Sequence, residues 1–158
     1  MIFVTMGTQI PFDRFLRMLD EIAPLMNGEE IVAQTITDKY VPRNFKPTGF
    51  IAPDDFNSYV NRARIIVSHA GMGSIISALE AGKPIVVVPR IAALGEHRNE
   101  HQLATADALE KLGYIHVARN TEQLRELLCN GTTGTLRQIN KYAPPEFVNA
   151  ILAKINKD

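Results

Sequence analysis

Ile65-Ile66-Val67-Ser68-His69-Ala70-Gly71-Met72-Gly73-Ser74 is the stretch on which the reading of this chain turns. Three β-branched residues in a row read as a buried strand, the two glycines as a tight turn, and the apolar run over 75–81 as a helix. A strand that passes through glycine into a helix lets the backbone approach a ligand closely. The first N–H groups of that helix, and the positive end of its dipole, then face the ligand. Such a turn suits a phosphate or diphosphate.

The same alternation of short apolar runs and longer helical patterns extends in both directions. Strands are expected over 2–6, 30–35, 48–51, 65–69, 84–89 and 114–118. Helices are expected over 11–26, 56–63, 73–82, 97–112 and 121–129. In the first helix Phe12, Phe15, Leu16, Leu19, Ile22 and Ala23 keep to one face. Asp54 or Asp55 caps the second and Thr121 the last. The run over 84–89 is apolar throughout, as a strand buried on both faces should be. The pattern is that of an α/β chain: one Rossmann-like, doubly wound parallel sheet of about six strands, with ligands beyond the carboxyl ends of the strands. Gly7-Thr8 and the turn from His69 to Ser74 lie at two such ends, so one crevice can use both.

The whole chain of 158 residues reads as a single domain, with a core over 1–130 and an extension over 131–158. The extension ends on an amphipathic helix, 146–157, with Phe147, Val148, Ile151, Leu152 and Ile155 on one stripe. That stripe either folds back on the domain or docks a partner. Lys plus Arg equals Asp plus Glu at 17 each, so no bulk field draws the chain to nucleic acid. The one cysteine, Cys129, allows no internal disulfide, fits a reducing compartment, and reads as a packing residue. No signal peptide or bilayer-spanning run is seen. The expectation is a cytoplasmic chain, unless a partner holds it at a membrane.

The glycine turn by itself is also compatible with a turn made for packing. It is not a full G-x-G-x-x-G, since Ile76 stands at the last position. No acid ends the strand over 84–89 to hold a nicotinamide ribose, and no G-K-[ST] occurs. A second constellation, His97-Arg98-Asn99-Glu100-His101, matches the H-x-x-E-H of inverted zinc proteases. On a helix its two histidines would share one face and hold a metal. The other reading is a polar helix start at the crevice, used for ligand hydroxyls or solvent.

Taken in order, Phe3-Val4-Thr5-Met6-Gly7-Thr8, Phe12-Asp13, the turn from Ser68 to Ser74, Ala78-Leu79-Glu80-Ala81-Gly82-Lys83-Pro84, Val87-Val88-Pro89 and His101-Gln102 form a recognisable series. The chain resembles, from residue 2 to about 113, the donor-binding C-terminal half of GT-B glycosyltransferases with a family 28 C-terminal domain. It is most similar to stand-alone subunits of UDP-N-acetylglucosamine transferases and their bacterial exopolysaccharide counterparts. The resemblance implies a UDP-sugar site in which Gly71, Met72, Gly73 and Ser74 line the diphosphate, with His69 beside them. His101 and Gln102 match positions that hold the donor sugar, and Gly7 and Thr8 face the inter-domain cleft. N–H dipoles would stabilise the leaving UDP, so no metal and no cofactor is implied. The family often has an acid for the ribose hydroxyls where this chain has Ser77. Glu80, one turn on, either substitutes for it or is solvated.

The resemblance also implies what 158 residues have no room for, an acceptor-binding half carrying the base. The function expected is therefore the donor-binding subunit of an inverting hexosyltransferase. Its partner would be membrane-anchored and its acceptor lipid-linked. The alternatives are a non-catalytic nucleotide-binding regulatory module and a zinc hydrolase using His97, Glu100 and His101.

Overall fold

The computed structural model describes residues 1–7, 10–36, 39–130 and 136–139. The expected terminal helix over 146–157 and the turn over 132–135 lie outside them. Among the described residues, five parallel strands alternate with five α-helices: β1 (Ile2–Thr5), α1 (Asp13–Ile22), β2 (Ile31–Gln34), α2 (Pro53–Arg62), β3 (Ile65–His69), α3 (Met72–Glu80), β4 (Ile85–Val88), α4 (His101–Lys111), β5 (His116–Val117) and α5 (Thr121–Cys129). The strand order is β2-β1-β3-β4-β5. The chain steps outward from β1 to β2, then reverses past β1 to build the rest of the sheet. That reversal puts the topological switch between β1 and β3, where an α/β sheet opens a crevice at its carboxyl edge. Thr5 of β1 lies opposite Ser68 of β3, so the loops after both strands leave side by side.

The strands alternate between two cores. Ile2, Val4, Ile65, Val67, Val86 and Val88 pack with Phe15, Leu16 and Leu19 of α1 and Leu124 and Leu128 of α5. Phe3, Ile66, Ile85, Val87 and Val117 pack on the other face with Val60 of α2, Ile75, Ala78 and Leu79 of α3 and Ala106 of α4. Both faces are covered, which is why the strands read as unbroken apolar runs. Each large side chain so buried contributes about 1.5–3 kcal/mol against its exposed state.

The structure corrects several expectations. The segment over 48–51 is not a strand, and among the described residues the sheet has five strands rather than about six. Thr48 makes one bridge, to Gln34, between Pro47 and Gly49, neither of which suits a continuing ladder. Neither Asp54 nor Asp55 caps α2. Pro53 occupies its first turn after Ala52, and both acids sit in that turn, where their charge complements the dipole. The cap of α5 is Asn120, whose Oδ1 accepts the Gln123 N–H at 2.9 Å, not Thr121. The long first helix ends at Ile22 and tightens into a 3₁₀ turn, Ala23–Met26, around Pro24.

The helix expected from 97 starts at His101 instead. Its first residues are held in a loop by two carboxylates. Glu96 accepts the Ile91 N–H at 2.9 Å, and Glu100 accepts those of Ala92 and Ala93 at 3.1 and 3.3 Å.

Candidate functional site

At the switch between β1 and β3, the half-buried imidazole of His69 sits between two glycines. Gly7 has φ +80°, and a Cβ placed on it would come within 3.3 Å of His69 Cε1 and Nε2. Gly71 is more constrained: a Cβ there would lie 2.3 Å from His69 Nε2. Gly71 is glycine because the ring occupies the space a side chain would need, and Gly7 chiefly because of its left-handed backbone, with the ring also close. Gly73 differs, since a Cβ there meets nothing within 4 Å. Its open side is toward solvent and any ligand.

The helix α3 begins immediately beyond. Gly71 is its N-cap residue, and no side chain caps this end. The Gly71 carbonyl accepts the Ile75 N–H at 3.2 Å, so the N–H groups of Met72, Gly73 and Ser74 precede the first intrahelical bond. Met72 and Gly73 are exposed and Ser74 is half-buried. Three forward-pointing donors and the positive dipole end are what an anion requires.

A cavity of about 190 Å³ opens against His69, lined also by Met6, Gly7, Ile10, Arg90, His97 and Gln102. Burial, then the nearby Arg90 charge, lowers the His69 pKa to about 4. Near neutral pH the ring is therefore uncharged, a hydrogen-bonding group and a weak base. Gln102 is buried, and its Oε1 accepts the Arg90 backbone N–H at 3.2 Å, while among the described residues its NH₂ group has no hydrogen-bond partner.

Other residues singled out by sequence are placed elsewhere. His101 is exposed at the start of α4, and His97, four residues earlier, lines the cavity instead. Ser77 and Glu80 lie in a separate groove of about 320 Å³, with Asn57 and Asn61 of α2. Thr8 is outside the described residues. The H-x-x-E-H spacing does not form one helical face: His97 is in the loop, and the Glu100 carboxylate is occupied by backbone N–H groups. Among the described residues, no three His, Cys, Asp or Glu side chains are grouped to hold a metal ion.

Two features escaped sequence reading. One is Arg90, whose signal was a charge directly after an apolar strand and Pro89. The other is a slot of about 120 Å³ sharing Gly7 with the cavity and lined by Gln34, Thr35, Ile36, Gly49 and Phe50. Gln34 is buried, its Oε1 has no partner among the described residues, and Phe50 is 78% exposed. An aromatic wall and a buried acceptor suit a flat polar ring.

The family model for the glycosyltransferase family 28 C-terminal domain matches residues 1–150. The UDP-N-acetylglucosamine transferase subunit ALG13 of Debaryomyces hansenii is 34% identical over 95 residues, 60% of this chain and 42% of that protein. Its counterpart in Cryptococcus neoformans var. neoformans serotype D is 32% identical over 122 residues, 70% of this chain and 58% of that protein. The chain thus spans about half the length of these two curated relatives. An NMR solution structure of ALG13 matches with a TM-score of 0.61 at 21% identity, over 98% of this chain and 96% of that one. That last likeness is one of fold.

Proposed function

The chain belongs to the glycosyltransferase family 28 C-terminal domain family, and we propose that it is the donor-binding subunit of an inverting, UDP-sugar-dependent glycosyltransferase. The observation that carries the reading is the uncapped start of α3 beside a neutral His69, at the crevice where the strand order reverses. The names of its relatives favour N-acetylglucosamine, or a related hexose, as the sugar.

In this reading the diphosphate lies on the N–H groups of Met72, Gly73 and Ser74, and the Gln34–Phe50 slot takes the base. His97 and Gln102 face the sugar. An acceptor hydroxyl attacks the anomeric carbon as the bond to the diphosphate oxygen breaks, and the electron pair leaves with UDP. The growing negative charge is met by dipoles already in place, so the step needs no metal. The hydroxyl proton passes to a base on a second subunit, which also binds a lipid-linked acceptor and holds the complex at the cytoplasmic face of a membrane. Among the described residues, no helix is long and apolar enough to cross a membrane.

Calorimetric titration of the chain with UDP, beside ADP and in chelator, tests the reading. Selective UDP binding that is lost in Gly73→Asp is expected. No preference for UDP, with or without the partner subunit, would overturn it. A complex that binds UDP-sugar but never turns it over would reduce the chain to a regulatory module.

A further inference from the structure

Arg90, directly after β4 and Pro89, is 3% exposed, yet among the described residues no carboxylate bonds it. Its guanidinium instead donates to four backbone carbonyls. Nη1 reaches Pro11 O at 2.8 Å and Glu96 O at 3.3 Å, and Nη2 reaches Met6 O at 2.9 Å and Ile10 O at 2.6 Å. The guanidinium carbon, Cζ, lies 4.3 Å from the centre of the Phe12 ring. Three of these carbonyls belong to the loop between β1 and α1, the fourth to the loop between β4 and α4. The second loop is held from outside as well, because the Glu96 carboxylate takes Arg14 Nε at 2.7 Å and Arg14 Nη2 at 3.0 Å.

A buried cation satisfied only by carbonyls is costly compared with an apolar side chain of the same volume. What it supplies is geometry: a rigid planar fork fixes the spacing of the groups it bridges, which a lysine ammonium cannot do. The bridged segments carry Gly7, Ile10 and His97, three walls of the cavity. We propose that Arg90 is the positioning residue of this cavity, its guanidinium holding the loop after β1 and the loop after β4 at the spacing a ligand needs. Its charge, with that of Arg14 set against the single Glu96 carboxylate between them, also gives the cavity a positive floor, suited to an anionic ligand. Only the identity of that ligand, a nucleoside diphosphate, rests on the donor-site reading.

Two variants of the full chain separate geometry from charge. Arg90→Lys keeps the charge but has three donors for four carbonyls. Arg90→Met removes both. Three readouts are taken: UDP affinity by calorimetry, amide hydrogen exchange at Gly7, Ile10 and Glu96, and the NMR titration of the His69 ring, which faces Arg90 and His97. Arg90→Lys is expected to weaken UDP binding about tenfold and speed exchange in both loops, with the His69 titration unmoved. Arg90→Met is expected to do more of both and to move the His69 titration upward, because a nearby cation is gone. If Arg90→Met does not fold, Arg90→Lys decides. Wild-type exchange in the loops together with UDP affinity within twofold of wild type would overturn the proposal. If the wild-type chain binds no UDP, the donor reading fails, and exchange at the three amides still decides whether Arg90 positions the loops.

Discussion

The two ends of the sheet treat charge in opposite ways. At the amino end, the Met1 ammonium and the Arg64 guanidinium both reach the Glu29 carboxylate, at 2.9 and 2.7 Å, and Arg64 N donates to Met1 O. Each group is answered by its opposite, and the hydrogen bonds from Arg64 hold the Glu29 pKa below its usual range. At the carboxyl end, among the described residues, the Arg90 guanidinium meets four carbonyls and the Phe12 ring but bonds no carboxylate, His69 stays neutral, α3 starts without a side-chain cap and Gln34 Oε1 has no partner. One edge is electrostatically finished. The other is left incomplete, and an anion with a polar ring would complete it.

The sharpest way to break this comparison is Gly73→Asp. Its Cβ enters open space and its carboxylate sits in the first turn of α3, where it favours the helix by about 0.3–1 kcal/mol. The same charge repels a diphosphate. UDP affinity is expected to fall about 100-fold, near 2.7 kcal/mol, while the melting temperature holds or rises. Calorimetry beside thermal unfolding reads both.

Glu29→Ala should do the reverse, costing about 1–2 kcal/mol of stability, after allowance for solvent screening, with UDP affinity unchanged. The Glu29 pKa is lowered by folding, so its contribution is present above the ordinary glutamate range and lost as pH falls through the folded value. Denaturant unfolding of wild type and variant should therefore converge in acid.

The third expectation concerns His69, lowered from 6.5 to about 4. Above pH 6.5 neither folded nor unfolded ring is charged. Below it the unfolded chain takes the proton first, so stability falls as pH drops from about 6.5 toward 4. His69→Gln should remove about 1–2 kcal/mol of that acid loss, after allowance for solvent screening. Equal slopes in the two proteins would contradict the buried, neutral ring.

The smallest effect tests whether every helix at the carboxyl edge is prepared for a ligand. The start of α5 is closed by Asn120, so Asn120→Ala should cost about 1 kcal/mol and leave UDP affinity alone. A loss of affinity there would blur the contrast with α3.

Much of this was legible in the sequence, and the remainder was not for identifiable reasons. The strands over 2–6, 30–35, 65–69 and 84–89 and the helices between them follow from apolar periodicity, a local property. The segment over 48–51 has the composition of a strand, but Pro47 and Gly49 limit its pairing to one bridge. The exchange of His97 for His101 in the cavity depends on Glu96 and Glu100 folding back onto residues 91–93, contacts that no helical pattern encodes. Gly71 and Gly73 are indistinguishable as letters, yet one makes room for His69 and the other leaves space open. Arg90 gathers carbonyls from positions up to 84 residues away, beyond any motif.

The packing of His69 between Gly7 and Gly71 also limits how this chain can diverge. Positions 7, 69 and 71 share one small volume, so none of them drifts alone. A side chain gained at 71 requires a smaller residue at 69, and a shrunken 69 leaves room at 71, while Gly7 stays held by its φ of +80°. In a set of related sequences, positions 69 and 71 should change together, and position 7 should stay glycine wherever the turn keeps its shape.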